Sequence, residues 1–249
     1  MRAVKIVHLF PDLLNLYGDK GNITCLKKRC EWRGIPIEVE EIHCKDMCDF
    51  KTADIVFLGA GPDREQKFAT EQLFSFRDAL EKYIEDEGVV LAICGGYQIL
   101  GSEWVMGTKA VEGLSLLELT TRPASEGKKR FVGDVVLESS LSTRKIVGYE
   151  NHAGQSYLGG ACVPFGQVYA SLGNGNNGED GSEGVLYKNL IGSYLHGPLL
   201  AKNPEIGDVL LKRASHRRKI KGEEGFSVVP LDDSLEHAAA DFMLAQLKA

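Results

Sequence analysis

The chain has 249 residues, 43% of them hydrophobic and 26% charged, with a formal net charge of −6 and a pI near 5.6. That length suits one large domain, or one domain with an appended lobe, and it is enough to bury a proper core. The acidic balance argues against a nucleic-acid scaffold, and the short basic runs Lys128-Lys129-Arg130 and His216-Arg217-Arg218-Lys219 do not reverse it.

The β-branched run 3–9 (AVKIVHL) predicts a strand, followed by a turn-rich loop over 10–22 and a helix over 23–33 that Gly34 stops. Residues 35–42 (IPIEVEEI) alternate as a half-buried strand does, and 53–58 (ADIVFL) is a short apolar run ending in Gly59-Ala60-Gly61-Pro62. The amphipathic stretch 65–87 predicts one long helix, and 89–93 (VVLAI) is a second apolar run, ending at Cys94. Strands alternating with helices of this length imply βαβ units, and continuous apolar runs are what parallel strands buried on both faces require.

Beyond residue 103 the pattern changes to short strands at 131–137, 145–149 and 167–171, joined by Gly- and Ser-rich turns. Residues 173–184 form a polar, glycine-laden loop. A hairpin over 184–187 and 190–194 leads into Leu195-His196-Gly197-Pro198, and helices are expected at 204–217 and 234–247. There is no internal repeat and no linker, so the expectation is one domain over 1–249. No window reaches the roughly 18 apolar residues of a membrane span, and the N-terminus lacks a cleavable leader pattern. A cytoplasmic chain with reduced thiols is expected. The irregular spacings of Cys25, Cys30, Cys44 and Cys48 fit small buried or half-exposed thiols better than a zinc site.

Chemistry concentrates at Cys94. A buried strand ends on the thiol, Gly95 and Gly96 follow at once, and an apolar helix begins, the pattern of a nucleophile elbow. The helix N-terminus should favour the thiolate, and the Gly95 N–H is placed to donate to an oxyanion. The glycine-rich strand end at Gly59 to Pro62 is a second candidate donor loop, through Gly61. His196 lies about 100 residues further on, at the end of a late strand, and can take the thiol proton and return it to a leaving amine.

Cys94-Gly95-Gly96-Tyr97-Gln98 resembles the C-x-G-x-Q motif of class I glutamine amidotransferases, and Tyr194-Leu195-His196-Gly197 resembles the Y-x-H-G signature of their cobyric acid synthase-like branch. The resemblance implies a flavodoxin-like α/β three-layer sandwich with a mostly parallel sheet. It implies Cys94 as nucleophile, His196 as base, and Gln98 and Arg130 as groups that hold the substrate L-glutamine. An Arg fork suits the α-carboxylate through paired hydrogen bonds. Two positions depart from the pattern: Ala92 stands where Gly is usual, and Pro198 stands where many members carry the Glu that orients the histidine. Glu205, Asp208, Asp241 or a partner protein are the candidate sources of that acid.

The chain has no phosphate-loop or dinucleotide fingerprint, so an acceptor must be activated elsewhere. The branch's stand-alone cell-wall members share the segments 17–22, 61–66, 130–134, 148–152 and 194–197 with this chain. That resemblance implies a Mur ligase-like synthetase partner carrying ATP and Mg²⁺, which amidates D-glutamate in the lipid II stem peptide. It implies no metal or cofactor in this chain and access to the membrane only through the partner. In that setting the 17–22 loop is a candidate partner surface, while Glu150 and His152 could line the pocket. The alternatives are a corrin-ring amidotransferase subunit, an elbow-cysteine hydrolase of the PfpI kind, and a non-enzymatic binding module. PfpI-type sites usually carry histidine directly after the cysteine, where this chain has Gly95.

Overall fold

A computed structural model of the chain describes residues 2–124 and 130–249. Lys128 and Lys129 therefore lie outside the described residues. The apolar runs of the first half do become strands: β1 (Val4–Leu9), β2 (Ile37–Ile42), β3 (Ile55–Leu58) and β4 (Val89–Ile93). Helices connect or follow them: α1 (Lys20–Glu31), α2 (Asp63–Leu73), α3 (Arg77–Glu85) and α4 (Gly95–Ile99). Every residue of β3 and β4 is buried, as an apolar run covered on both faces must be.

The second half supplies β5 (Glu103–Met106), β6 (Lys109–Glu112), β7 (Leu119–Pro123), β8 (Phe131–Glu138), β9 (Ile146–His152), β10 (Gly154–Leu158), β11 (Gly166–Val168) and β12 (Ser182–Glu183). The hairpin β13 (Val185–Tyr187) and β14 (Leu190–Ser193) follows, then α5 (Leu199–Lys202), α6 (Pro204–Ile220) and α7 (Ser234–Leu247).

The main sheet runs β13-β14-β4-β3-β1-β2, and every neighbouring pair is parallel except the β13–β14 hairpin at the edge. Counted along the parallel strands, the order is 2-1-3-4-5, that of flavodoxin-like doubly wound sheets. Register then decides where function can sit. Leu9 pairs with Leu58, Leu58 with Ala92, and Ile93 with Ser193, so β1, β3, β4 and β14 end almost level. The loops that leave them crowd together at the carboxyl edge, where ligands of such sheets bind.

Two four-stranded sheets flank this one, β10-β7-β5-β6 and the antiparallel β12-β11-β8-β9. Several elements differ from expectation. The helix expected at 65–87 is broken by a 3-10 turn at Phe74–Phe76, with Arg77 anchored to the Leu114 carbonyl at 2.9 Å, which redirects α3. The first helix begins at Lys20, not residue 23, with its first N–H accepted by the Asn15 side chain at 3.0 Å. The strand expected at 145–149 runs instead from Ile146 to His152, and that expected at 167–171 runs from Gly166 only as far as Val168. Among the described residues no helix is long and apolar enough to cross a membrane.

At the opposite, amino edge of the sheet, Asp54 accepts hydrogen bonds from Arg218 at 2.7 Å, Arg2 at 2.8 Å and the Lys5 N–H at 2.8 Å. The Asp54 and Arg218 side chains are each 2% exposed. Removing one member of such a pair leaves a buried charge uncompensated. Asp54→Ala should therefore lower unfolding free energy by about 3–5 kcal/mol in a urea titration. Because the pair sits far from the carboxyl edge, the folded variant should keep its activity.

Candidate active site

Four strand ends supply four groups. Cys94 follows β4 at φ 49° and ψ −104°, a conformation that L-residues avoid and that nucleophile elbows impose to lift the side chain off the sheet. Gly96 is obligatory beside it. A Cβ there would lie 2.7 Å from the Gly59 carbonyl oxygen, the same oxygen that accepts the Gly96 N–H at 3.0 Å. The loop after β3 is thus bonded to the elbow. With the Gly96 N–H committed, the Gly95 N–H is the donor next to the thiol. The helix expected to polarise the thiol, α4, is only five residues long, so it offers first-turn N–H groups rather than a long macrodipole.

His196 sits just beyond β14 and is 1% exposed. Its backbone forms a two-bond bridge with Tyr149 of β9, at 2.8 and 3.1 Å. The turn leading to it is folded by Glu183. That carboxyl accepts the Tyr194 N–H at 2.6 Å and the Ser193 hydroxyl at 3.1 Å, and the same hydroxyl accepts the Leu195 N–H at 3.0 Å. Burial pushes Glu183 up to about 8, against these hydrogen bonds. Glu183 is not legible in the sequence, where it is one of three acidic residues in a glycine-rich loop.

The group that orients the imidazole is Asp19, in the loop after β1. It is fully buried; its Oδ1 lies 3.0 Å from His196 Nδ1 and its Oδ2 accepts the Ala60 N–H at 2.9 Å. None of the expected acids plays this part. Glu205 pairs with His237, Asp208 with Arg29 and Arg33, and Asp241 with Arg144. Pro198, standing where the Glu was sought, packs so closely on Gly21 that a Cβ there would lie 2.2 Å from its ring. The 17–22 segment, a candidate partner surface, also supplies the site with Asp19.

A carboxylate can only accept, so Nδ1–H donates to Asp19 and Nε2 is left to act as base. Nε2 is buried with no nitrogen or oxygen partner, and the Cys94 thiol is near enough to act on the imidazole. Burial works to lower the His196 pKa, but Asp19 and the thiol outweigh it and raise it to about 10.

The second candidate donor, Gly61, lies in a loop pinned from both sides. The Ala60 N–H goes to Asp19 and its carbonyl accepts the Leu16 N–H at 2.7 Å. A Cβ at Gly61 would lie 2.4 Å from the Leu13 carbonyl, so only glycine lets the two loops touch. Gln98 is buried, with its amide turned into a polar network. It donates to the Tyr194 hydroxyl at 2.9 Å and accepts from Gln66 at 3.1 Å. Arg130 donates to the Asn151 side chain and, at 2.9 Å, to its carbonyl. Glu150 is fully buried and accepts from the Asn174 and Gly175 N–H groups, and the His152 ring stacks on Tyr194 at 3.5 Å, so both serve the scaffold. All six cysteines are free thiols, and among the described residues no three His, Cys, Asp or Glu side chains are grouped to hold a metal.

A cysteine on a strained elbow, a buried Asp–His pair and glycine-lined loops define a thiol amidotransferase site on a flavodoxin-like sheet. Residues 5–204 match the CobB/CobQ-like glutamine amidotransferase domain, and the chain belongs to that family. It is 43% identical over 226 residues to the lipid II isoglutaminyl synthase (glutamine-hydrolyzing) subunit GatD of Staphylococcus aureus strain N315, covering 90% of this chain and 89% of that one. It is 38% identical to the subunit of the same name from Streptococcus pneumoniae, covering 86% and 82%. Among solved structures, a glutamine amidotransferase superposes with a TM-score of 0.57 at 19% identity, covering 84% of this chain and 98% of that one, a likeness of fold.

Asp19→Asn should lower kcat for glutamine hydrolysis roughly 10²–10⁴-fold with little change in KM. The amide that keeps the Ala60 N–H bond would present N–H to Nδ1 and force the wrong imidazole tautomer. Stability should respond with a definite sign. The His196 pKa rises from its ordinary 6.5 to about 10, so the stability its charge contributes is complete below 6.5 and lost as pH rises through about 10. The gap in urea midpoint between wild type and Asp19→Asn should be largest just below pH 6.5, shrink as pH rises, and close above about 10.

Proposed function

We propose that this chain is the glutaminase subunit of a two-component amidoligase. Cys94 attacks the side-chain carboxamide of L-glutamine while His196 Nε2 takes the thiol proton. The tetrahedral oxyanion is received by the N–H groups of Gly95 and Gly61. Collapse breaks the C–N bond, His196 returns its proton to the nitrogen, and ammonia leaves a Cys94 thioester. Water, deprotonated by His196, then attacks the thioester through a second oxyanion; the C–S bond breaks, glutamate is freed, and His196 returns the proton to the Cys94 sulfur. Arg130 binds the substrate α-carboxylate, and Gln98 shapes the pocket wall through Tyr194 and Gln66.

The ammonia serves a Mur ligase-like synthetase subunit, which uses ATP and Mg²⁺ to activate the α-carboxyl of D-glutamate in the stem peptide of lipid II. The chain works in the cytoplasm and reaches the lipid only through that partner. The observation that carries this reading is 43% and 38% identity, over most of both chains, with two subunits named for that amidation, joined to the Asp19–His196 pair at the strand end beside Cys94.

The test reconstitutes the chain with a Mur ligase-like partner, ATP, Mg²⁺ and lipid II. Cys94→Ser should lower glutamine-dependent amidation roughly 10⁴-fold or more, while ammonium chloride restores product in the same complex. Amidation by glutamine that survives Cys94→Ser would refute the thioester. A complex that amidates corrin carboxylates and leaves lipid II untouched would refute the acceptor.

A further inference from the structure

On the solvent side of His196, three side chains form a continuous bridge. Arg130 donates from Nε to the Asn151 side-chain oxygen and from Nη2 to the Asn151 carbonyl at 2.9 Å. The other end of the same Asn151 carboxamide donates from Nδ2 to the Tyr17 hydroxyl at 2.7 Å. The Tyr17 ring lies edge-on over His196, centroid to centroid 4.7 Å at 61°. Tyr17 is 42% exposed, so the ring has solvent on one side and the buried imidazole on the other. It holds φ 55° and ψ 23°, a left-handed conformation that bulky residues adopt only when their contacts enforce it. Asn151 lies two residues beyond Tyr149 on β9, the residue whose backbone is bonded to His196, so the bridge is anchored on the strand that holds the base.

We propose that Asn151 and Tyr17 are a substrate-displaced latch, through which the α-carboxylate of glutamine uncovers His196 and Cys94 by taking Arg130 from Asn151. This rests on the reading that Arg130 binds that carboxylate. The exchange is downhill, because the latch offers the guanidinium two neutral oxygens, whereas the substrate offers a carboxylate. Both sets of bonds are charge-assisted by the guanidinium, but only the carboxylate brings an opposite charge and two oxygens matched to the Arg fork. When Arg130 leaves, the Asn151 carboxamide loses the partner that fixes its orientation, and its bond to the Tyr17 hydroxyl goes with it. A compound without the carboxylate cannot start the sequence and meets a closed mouth. Asn151 and Tyr17 act through Arg130 and on access; they are positioning residues, and neither touches the reacting carbon.

The test uses the full chain and two readouts. The first is the rate at which iodoacetamide, which carries no carboxylate, alkylates Cys94, followed on the Cys94 peptide by mass spectrometry. Tyr17→Phe keeps the ring and deletes one hydrogen bond, and it should raise that rate about fivefold, the weight of one net hydrogen bond. Asn151→Ala should raise it at least as much. The second is discrimination, the ratio of kcat/KM for L-glutamine over its α-carboxamide analogue. Arg130→Ala should collapse it, and Tyr17→Phe should narrow it by relieving the closed state, chiefly through KM. Unchanged alkylation in both Tyr17→Phe and Asn151→Ala, with discrimination lost in Arg130→Ala, overturns the latch and leaves the carboxylate reading standing. Discrimination retained in Arg130→Ala overturns that reading, and the latch with it.

Discussion

One buried carboxylate joins the two halves of this site. Asp19 bonds the imidazole of His196 with one oxygen and the backbone of the glycine loop after β3 with the other. The base and the loop carrying Gly61 therefore cannot move independently. A third tie, from the Gly96 N–H to the Gly59 carbonyl, fixes that loop to the elbow that carries Cys94. All three ties require β1, β3, β4 and β14 to end at one level, which the parallel registers enforce. The sheet thus sets the distances, and the loops have only to fill them.

Electrostatics follow from the same arrangement. A buried imidazole alone would resist charge, and here the Asp19 hydrogen bond and the neighbouring thiol reverse the effect of burial. In the proposed reaction His196 must hold the thiol proton until the carbon–nitrogen bond breaks, so a high affinity for that proton suits its part. The strain at Cys94 and the close approach at Gly96 and Gly61 are the local counterpart: backbone conformations and contacts that ordinary residues avoid, held in place by the packed loops around them.

The sequence was most legible where chemistry and local structure share a short segment. Cys94, Gly95 and Gly96 announce the elbow because the strand, the thiol and the glycines are contiguous, and the apolar run before them makes the strand unambiguous. His196 was legible through its segment at the end of a late strand. Asp19 was not. It sits in a polar loop 177 residues from the histidine it orients, and the expected position carries Pro198, so only the level strand ends reveal the pairing. Glu183 was hidden for the same reason, being one of three acidic residues in a glycine-rich stretch, with a role that depends on the turn it folds. In the smaller sheets, β8, β9 and β11 were legible as short strands, whereas β5, β6, β7 and β10 were not; β6 (KAVE), for one, is largely exposed, and so short a polar strand gives no period for a sequence to display.

The most direct measurement of this account is a crystal structure of the chain with Cys94 alkylated by a diazoketone analogue of glutamine, which leaves a carbonyl where the oxyanion forms. The account predicts that oxygen within hydrogen-bonding distance of the Gly95 and Gly61 N–H groups, with His196 Nδ1 still bonded to Asp19. An adduct whose oxygen points to solvent, or in which His196 has turned away from Asp19, would contradict it.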